Sequence, residues 1–183
     1  MSILLKFKDD QYMFKGVSHT REIVRAILLD ENNNVCIEKL KDDDGFGPRD
    51  YYETPGGGIK TGESHEDAMH REIEEEVGYK CEVIKHIADV HDYYNLIKRK
   101  NHNYFYLVRR KEKVPQRLEE DEKIRIEKII WVPIDEAISL YENMQNVLVG
   151  KIVKQRELPI LKLAKEILDN EEDTTAKTCK QDI

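Results

Sequence analysis

The sequence predicts an α/β fold, and three observations carry that prediction. Short runs rich in β-branched and aliphatic residues, such as EIVRAILL over 22–29 and VCIEKL over 35–40, end at polar turn clusters and read as strands. Stretches with helical spacing of apolar residues follow the glycines at 56–58, start again at Ile134, and recur beyond Val149. The 183 residues are enough for one domain with appended elements and a real core.

The elements follow in order. Ile3 to Phe7 and Tyr12 to Val17 read as short flanking strands around the turn Lys8, Asp9, Asp10. The runs 22–29 and 35–40 form a hairpin across DENNN. Residues 41–50, KDDDGFGPRD, combine charge, glycine and proline, so they form a loop, disordered or able to close over a ligand. Tyr51 to Thr54 is a short extended piece, with Pro55 before Gly56, Gly57 and Gly58. Ser64 caps a helix over about 65–77 that Gly78 ends. Residues 81–97 and 103–110 make a long hairpin, 113–123 a polar connector, 124–133 a strand and 134–144 a second helix. A third helix spans about 149–168 and is expected to bend or restart at Pro159. Residues 170–183 lack apolar periodicity and are expected to be a mobile tail.

Composition narrows the function. The net charge of −7 argues against bulk binding to nucleic acid or to an anionic membrane, but permits an anionic substrate held through metal ions. Cys36, Cys81 and Cys179 lie far apart without the CxxC spacing of a zinc site. No apolar run approaches the ~20 residues of a membrane span, and MSILLKFKDD charges too early for a secretory signal. A cytoplasmic location is the expectation.

The chemistry sits between Gly57 and Tyr79. On a helix from residue 65, Met69, Ile73 and Val77 form one stripe, while Glu72, Glu75 and Glu76 gather on a neighbouring face. Three carboxylates so close repel one another, and a hard divalent cation such as Mg²⁺ is a natural compensation. The glycines let a main-chain carbonyl, that of Gly56 for one, reach the same ion, and Arg71 is placed to pair with Glu63 or to orient a helix carboxylate. Taken alone, EIEEE is equally a solvated helix face.

The joint pattern decides between these. Gly57, Glu63, Arg71, Glu72, Ile73, Glu75, Glu76, Gly78 and Tyr79 match position for position the signature GX5EX7REUXEEXGU, in which U is a bulky apolar residue. In this the chain resembles the Nudix hydrolase family. Tyr79 is its one departure, aromatic where an aliphatic residue is usual. Trp131 and the helix around Asp135, Glu136 and Ala137 resemble the family's final strand and helix.

The resemblance implies a Nudix-type α/β/α sandwich around a mixed β-sheet, with an added C-terminal helix. It divides the chain into a Nudix domain over 1–148 with its core over 20–145, a helical extension over 149–169, and the tail. It implies Mg²⁺- or Mn²⁺-dependent hydrolysis of a phosphoanhydride in a nucleoside triphosphate or a nucleoside diphosphate linked to another moiety. Glu72, Glu75, Glu76 and the carbonyl of Gly56 would bind the metal, Arg71 and Glu63 would support them, and one glutamate would help deprotonate water. Some members draw a further base or ligand from a distant loop, for which Glu119, Glu120 and Glu122 are candidates, although a solvated connector explains them as well.

Lys39, Arg49 and Lys60 are the candidate substrate phosphate contacts, and Tyr51, Tyr52, Tyr93, Tyr94, Tyr104 and Phe105 offer stacking faces. The proline that ADP-ribose hydrolases of this kind carry about fifteen residues past the signature is Tyr94 here, so the substrate stays open. The alternative function is a nucleotide-sensing regulatory module without useful turnover. The apolar residues Ile152, Leu158, Leu161, Leu163, Ile167 and Leu168 would pack on the domain or against a second copy, making a homodimer possible.

Overall fold

A computed structural model describes the backbone of residues 2–41 and 49–179, and side chains up to residue 171. Most of the 41–50 loop therefore lies outside the described residues, as do Cys179's side chain and the end of the expected tail.

Among the described residues seven strands form one mixed sheet: β1 (Ile3–Lys6), β2 (His19–Leu29), β3 (Val35–Leu40), β4 (Tyr51–Glu53), β5 (Tyr79–Tyr94), β6 (Arg99–Lys113) and β7 (Ile126–Val132). The order is β1-β5-β6-β2-β3-β4, with β7 on β3. β2 runs parallel to β6 along its length, whereas β5 and β6 form the expected long antiparallel hairpin. The β2–β3 hairpin closes only at Leu29 opposite Val35, where the Asp30 carboxylate accepts the N–H groups of Asn32 and Asn34. Beyond that pair the strands part, and the segment after β4 runs beside β2 instead. Ala26 donates to the carbonyl of Pro55 at 2.9 Å, Val24 to Gly57 at 3.0 Å, and Ile59 to Glu22 at 3.0 Å. This departure from a regular ladder puts the glycines inside the sheet.

Alternation along β2 divides the core. Val24, Ala26 and Leu28 face α1 (His65–Glu72), with Met69, Ile73 and Val77 on the same side, so the predicted apolar stripe packs as expected. Ile27 and Leu29 face the other way, toward α3 (Ile134–Asn143) and α4 (Leu148–Cys179). The result is an α/β/α sandwich.

Three local expectations change. Tyr12 to Val17 is irregular: the Asn95 side chain, not a ladder, satisfies the Tyr12 carbonyl at 2.9 Å. A short helix, α2 (Glu120–Arg125), takes up the end of the polar connector and the first two residues of the expected strand. α4 passes Pro159 without restarting and continues beyond residue 169, because Ile160, Leu161 and Ala164 are packed into the core on the far side of the missing hydrogen bond. The apolar face that suggested a second copy is thus covered by the chain's own sheet, where Ile152, Leu161 and Leu168 are buried. Among the described residues no helix is long and apolar enough to cross a membrane.

Candidate metal centre

The first helix is capped by Ser64, whose Oγ accepts the Asp67 N–H at 3.1 Å. After Glu72 the backbone widens into a π-helical turn, Ile73–Val77, closed by Gly78 N–H onto the Ile73 carbonyl at 3.1 Å. A turn closed i→i+5 takes more residues than an α turn, so Glu76 comes back over Glu72 and Glu75 is left offset. The carbonyls freed at its end find partners in the segment after β6. Arg117 N–H donates to Glu75 O at 2.9 Å, the Gln116 side-chain amide to Glu76 O, and Val114 N–H to Gly78 O at 2.9 Å. That stitching fixes where the chain enters α2.

Arg71 organises the charges. Its Nε and Nη2 grip Glu63 at 2.7 and 2.9 Å, Nη1 donates to Glu72 Oε1 at 2.7 Å and Glu75 Oε2 at 3.2 Å, and Nη2 also reaches the Gly58 carbonyl at 3.0 Å. Both pairings open in the sequence, with Glu63 and with the helix carboxylates, occur together. The fork from Arg71 holds the Glu63 carboxyl down at about 2.

Glu72, Glu76 and Glu122 converge, each offering an oxygen within 4.8 Å of the others. Glu72 and Glu76 are 6% exposed and Glu122 9%. Burial pushes the Glu72 carboxyl up, and pushes Glu76 far up with help from Glu38 and Glu72. Three buried carboxylates turned toward one point are a donor set suited to Mg²⁺ or Mn²⁺. Glu122 is held for this by the Glu119 N–H, which donates to its Oε2 at 2.7 Å. The solvated-connector reading therefore fails for Glu122, while Glu120 is exposed and paired with Lys123. Glu75, expected among the metal ligands, stands outside this group, half-buried on Arg71.

The glycines are required by contact. Gly56 has φ +133°, and a Cβ there would lie 2.2 Å from the Val24 carbonyl oxygen. Its N–H donates to Glu76 Oε2 at 2.8 Å. A Cβ on Gly57 would lie 2.5 Å from Glu72 Oε1. The loop thus leaves room for the carboxylates and anchors one of them.

A cavity of about 210 Å³ opens beside these groups, lined also by Lys60, Arg21, Arg25, Glu38 and Arg125. Of the three candidate phosphate contacts, Lys60 lines it, and Arg49 lines an adjoining chamber. Lys39 lines neither: strand alternation turns Glu38 inward and leaves Lys39 on Asp50 and over the Tyr52 ring. Glu38, 4% exposed with Oε1 unpartnered, was missed. Burial, then the charge of Glu53, lifts it to about 8. A charged residue within a strand-like run rich in apolar residues, Glu38 in VCIEKL or Arg25 in EIVRAILL, was the available signal.

The NUDIX domain family model matches residues 19–149. The chain belongs to the Nudix family. Among curated proteins, this Nudix chain is similar to the RNA pyrophosphohydrolases of Teredinibacter turnerae, 40% identical over 68 residues, and of Francisella tularensis, 32% identical over 74 residues. Those matches cover 37% and 40% of this chain and 37% and 44% of the respective relatives, so the chain aligns with less than half the length of each. Among solved structures, a NUDIX hydrolase from Nitrosomonas europaea has a TM-score of 0.61 at 18% identity, covering 80% of this chain and 90% of that one. A MutT NUDIX hydrolase from Burkholderia pseudomallei has a TM-score of 0.54 at 20% identity, covering 76% and 99%. The Nudix sandwich is shared with both.

Proposed function

We propose that this Nudix chain hydrolyses a phosphoanhydride bond in a nucleotide, either a nucleoside triphosphate or a nucleoside diphosphate linked to another moiety, with Mg²⁺ or Mn²⁺. The observation that carries the reading is the convergence of Glu72, Glu76 and Glu122 on one point beside an open cavity. An ion held by these three would polarise a phosphoryl oxygen and lower the pKa of bound water. Gly56 fixes Glu76 through its N–H, and its carbonyl remains in the proposed ligand set. Arg71 steers Glu72 and Glu75 from one nitrogen, with Glu63 holding the guanidinium in place. Lys60 stands at the wall for a substrate phosphate.

The net charge of −7 favours a small nucleotide over a long polyanion. Similarity to RNA pyrophosphohydrolases adds RNA to the substrates to be tested, with a 5′-triphosphorylated RNA as the probe. The test is a phosphate-release screen with Mg²⁺ and with Mn²⁺ over nucleoside triphosphates, nucleotide sugars, ADP-ribose, dinucleoside polyphosphates and 5′-triphosphorylated RNA. Product from at least one substrate, lost in Glu72→Gln and Glu76→Gln, is the expected result. Tight calorimetric binding with no product at any metal concentration would overturn the reading in favour of a nucleotide sensor.

A further inference from the structure

Next to the carboxylate cavity lies a second chamber of about 160 Å³, and its charge is opposite. Arg21, Arg25, Arg49, Arg99, Arg125 and Arg156 line it, and among the described residues Glu53 is the one carboxylate in the lining. Four of its residues are already tied. Arg25 and Arg156 both hold Glu53 Oε1, at 3.1 and 2.7 Å; Arg156 also takes Glu157 at 2.6 Å; and Arg125 binds Asp121 at 3.2 Å.

Arg21 and Arg99 are different. They stand on the paired strands β2 and β6, and neither has an ion-pair partner among the described residues. The Nε of Arg99 is buried with no hydrogen-bond acceptor. Burial, reinforced by each one's arginine neighbour, lowers the proton affinity of both. Two neighbouring guanidiniums with no ion pair among the described residues are an arrangement that a phosphoryl group satisfies, since its oxygens accept the fork geometry of arginine.

The two compartments share a wall made of Arg21, Ile23, Arg25, Glu53 and Arg125. A ligand long enough to span that wall would have one end at the carboxylates and the other among the arginines. Arg156 comes from α4, outside the region that the family model matches, so the chamber is completed by a part of the chain beyond that region.

We propose that the arginine chamber is a second phosphate-binding subsite, which holds a phosphoryl group of the substrate beyond the pair that reacts at the carboxylates. The proposal rests on the hydrolase reading and narrows it to substrates with three or more phosphates. Free orthophosphate offers the same chemistry, and the experiment separates the two sources.

The full chain and its Arg99→Gln and Arg21→Gln variants would be compared on a dinucleoside tetraphosphate and on a nucleoside diphosphate sugar, with melting curves to verify the fold. The expected result is a KM for the tetraphosphate raised about tenfold or more in Arg99→Gln, with kcat retained and a clearly smaller change for the sugar nucleotide. Equal changes for both substrates, or none, would overturn the subsite. Orthophosphate should compete with the tetraphosphate; inhibition that is not competitive would assign the chamber to a free regulatory anion and overturn its assignment to substrate. Calorimetric binding of inorganic tripolyphosphate in EDTA gives an arm independent of turnover. Arginine-dependent binding there, with no hydrolysis of any nucleotide, would sink the hydrolase reading and leave the chamber as an anion site. Binding equal in wild type and Arg99→Gln would sink the chamber itself.

Discussion

Arg71 grips both carboxylate oxygens of Glu63, at 2.7 and 2.9 Å, and reaches Glu72 with its remaining nitrogen at 2.7 Å. One planar group thus sets the position of a carboxylate in the cluster from a partner outside it. Lysine offers a single point charge in place of that fork. Arg71→Lys should keep the fold and weaken Mn²⁺ binding on the order of 10–100-fold, the scale seen when groups supporting a metal ligand are lost. Titration calorimetry measures this, and an unchanged Kd would remove Arg71 from the centre.

Gly56 and Gly62 provide a matched pair. Both have positive φ, but a Cβ on Gly56 meets the Val24 carbonyl at 2.2 Å, whereas a Cβ on Gly62 meets nothing within 4 Å. Gly62→Ala should cost only the backbone strain of roughly 1–3 kcal/mol, and Gly56→Ala clearly more. Thermal unfolding of the two variants compares them; equal melting temperatures would mean that the loop relaxes freely.

Glu122 and Glu120 lie on the same short helix in opposite settings, one buried against Glu72 and Glu76, the other exposed on Lys123. Glu122→Gln should lower Mn²⁺ affinity on the order of tenfold or more. Glu120→Gln should leave both affinity and stability within about 0.5 kcal/mol of wild type. Loss of affinity in both variants would point to a general effect of charge.

Glu53 supplies a pH signature. Burial opposes its ionisation, but the Arg25 and Arg156 guanidiniums outweigh that and hold its carboxyl at about 2, below the ordinary 4.5. A depressed folded value means that its stabilisation is complete above about pH 4.5 and is lost as the pH falls toward 2. Denaturant unfolding between pH 3 and 7 should therefore show a shallower acid-side loss in Glu53→Gln than in wild type. Parallel curves would assign the acid sensitivity to other groups.

The strands, the helix caps and the apolar stripe of Met69, Ile73 and Val77 were legible because each rests on local spacing. The signature residues were legible for the same reason, being close in sequence. What escaped depends on pairings across the sheet. Glu122 was one of three loop candidates, and what singles it out is not local: it lies 46 positions from Glu76 and reaches it because Gln116 and Arg117 bond the end of the π turn. The offset of Glu75 also escaped, since the sequence does not encode the wider turn in its spacing of glutamates. Lys39, a candidate phosphate contact, lines neither compartment while its neighbour Glu38 lines the carboxylate cavity, because neighbours on a strand face opposite ways.

Glu157 on α4 is fully buried, with Oε2 accepting from Thr54 N–H at 2.7 Å and from the Tyr141 hydroxyl at 2.8 Å. Thr54 stands two residues before Gly56, so the long helix acts as a guy rope on the loop that holds Glu76. A fragment trimmed to residues 19–149 would keep every residue of the signature yet release that tether. The helix that looks like an appendage in the sequence is in this sense part of the foundation of the centre.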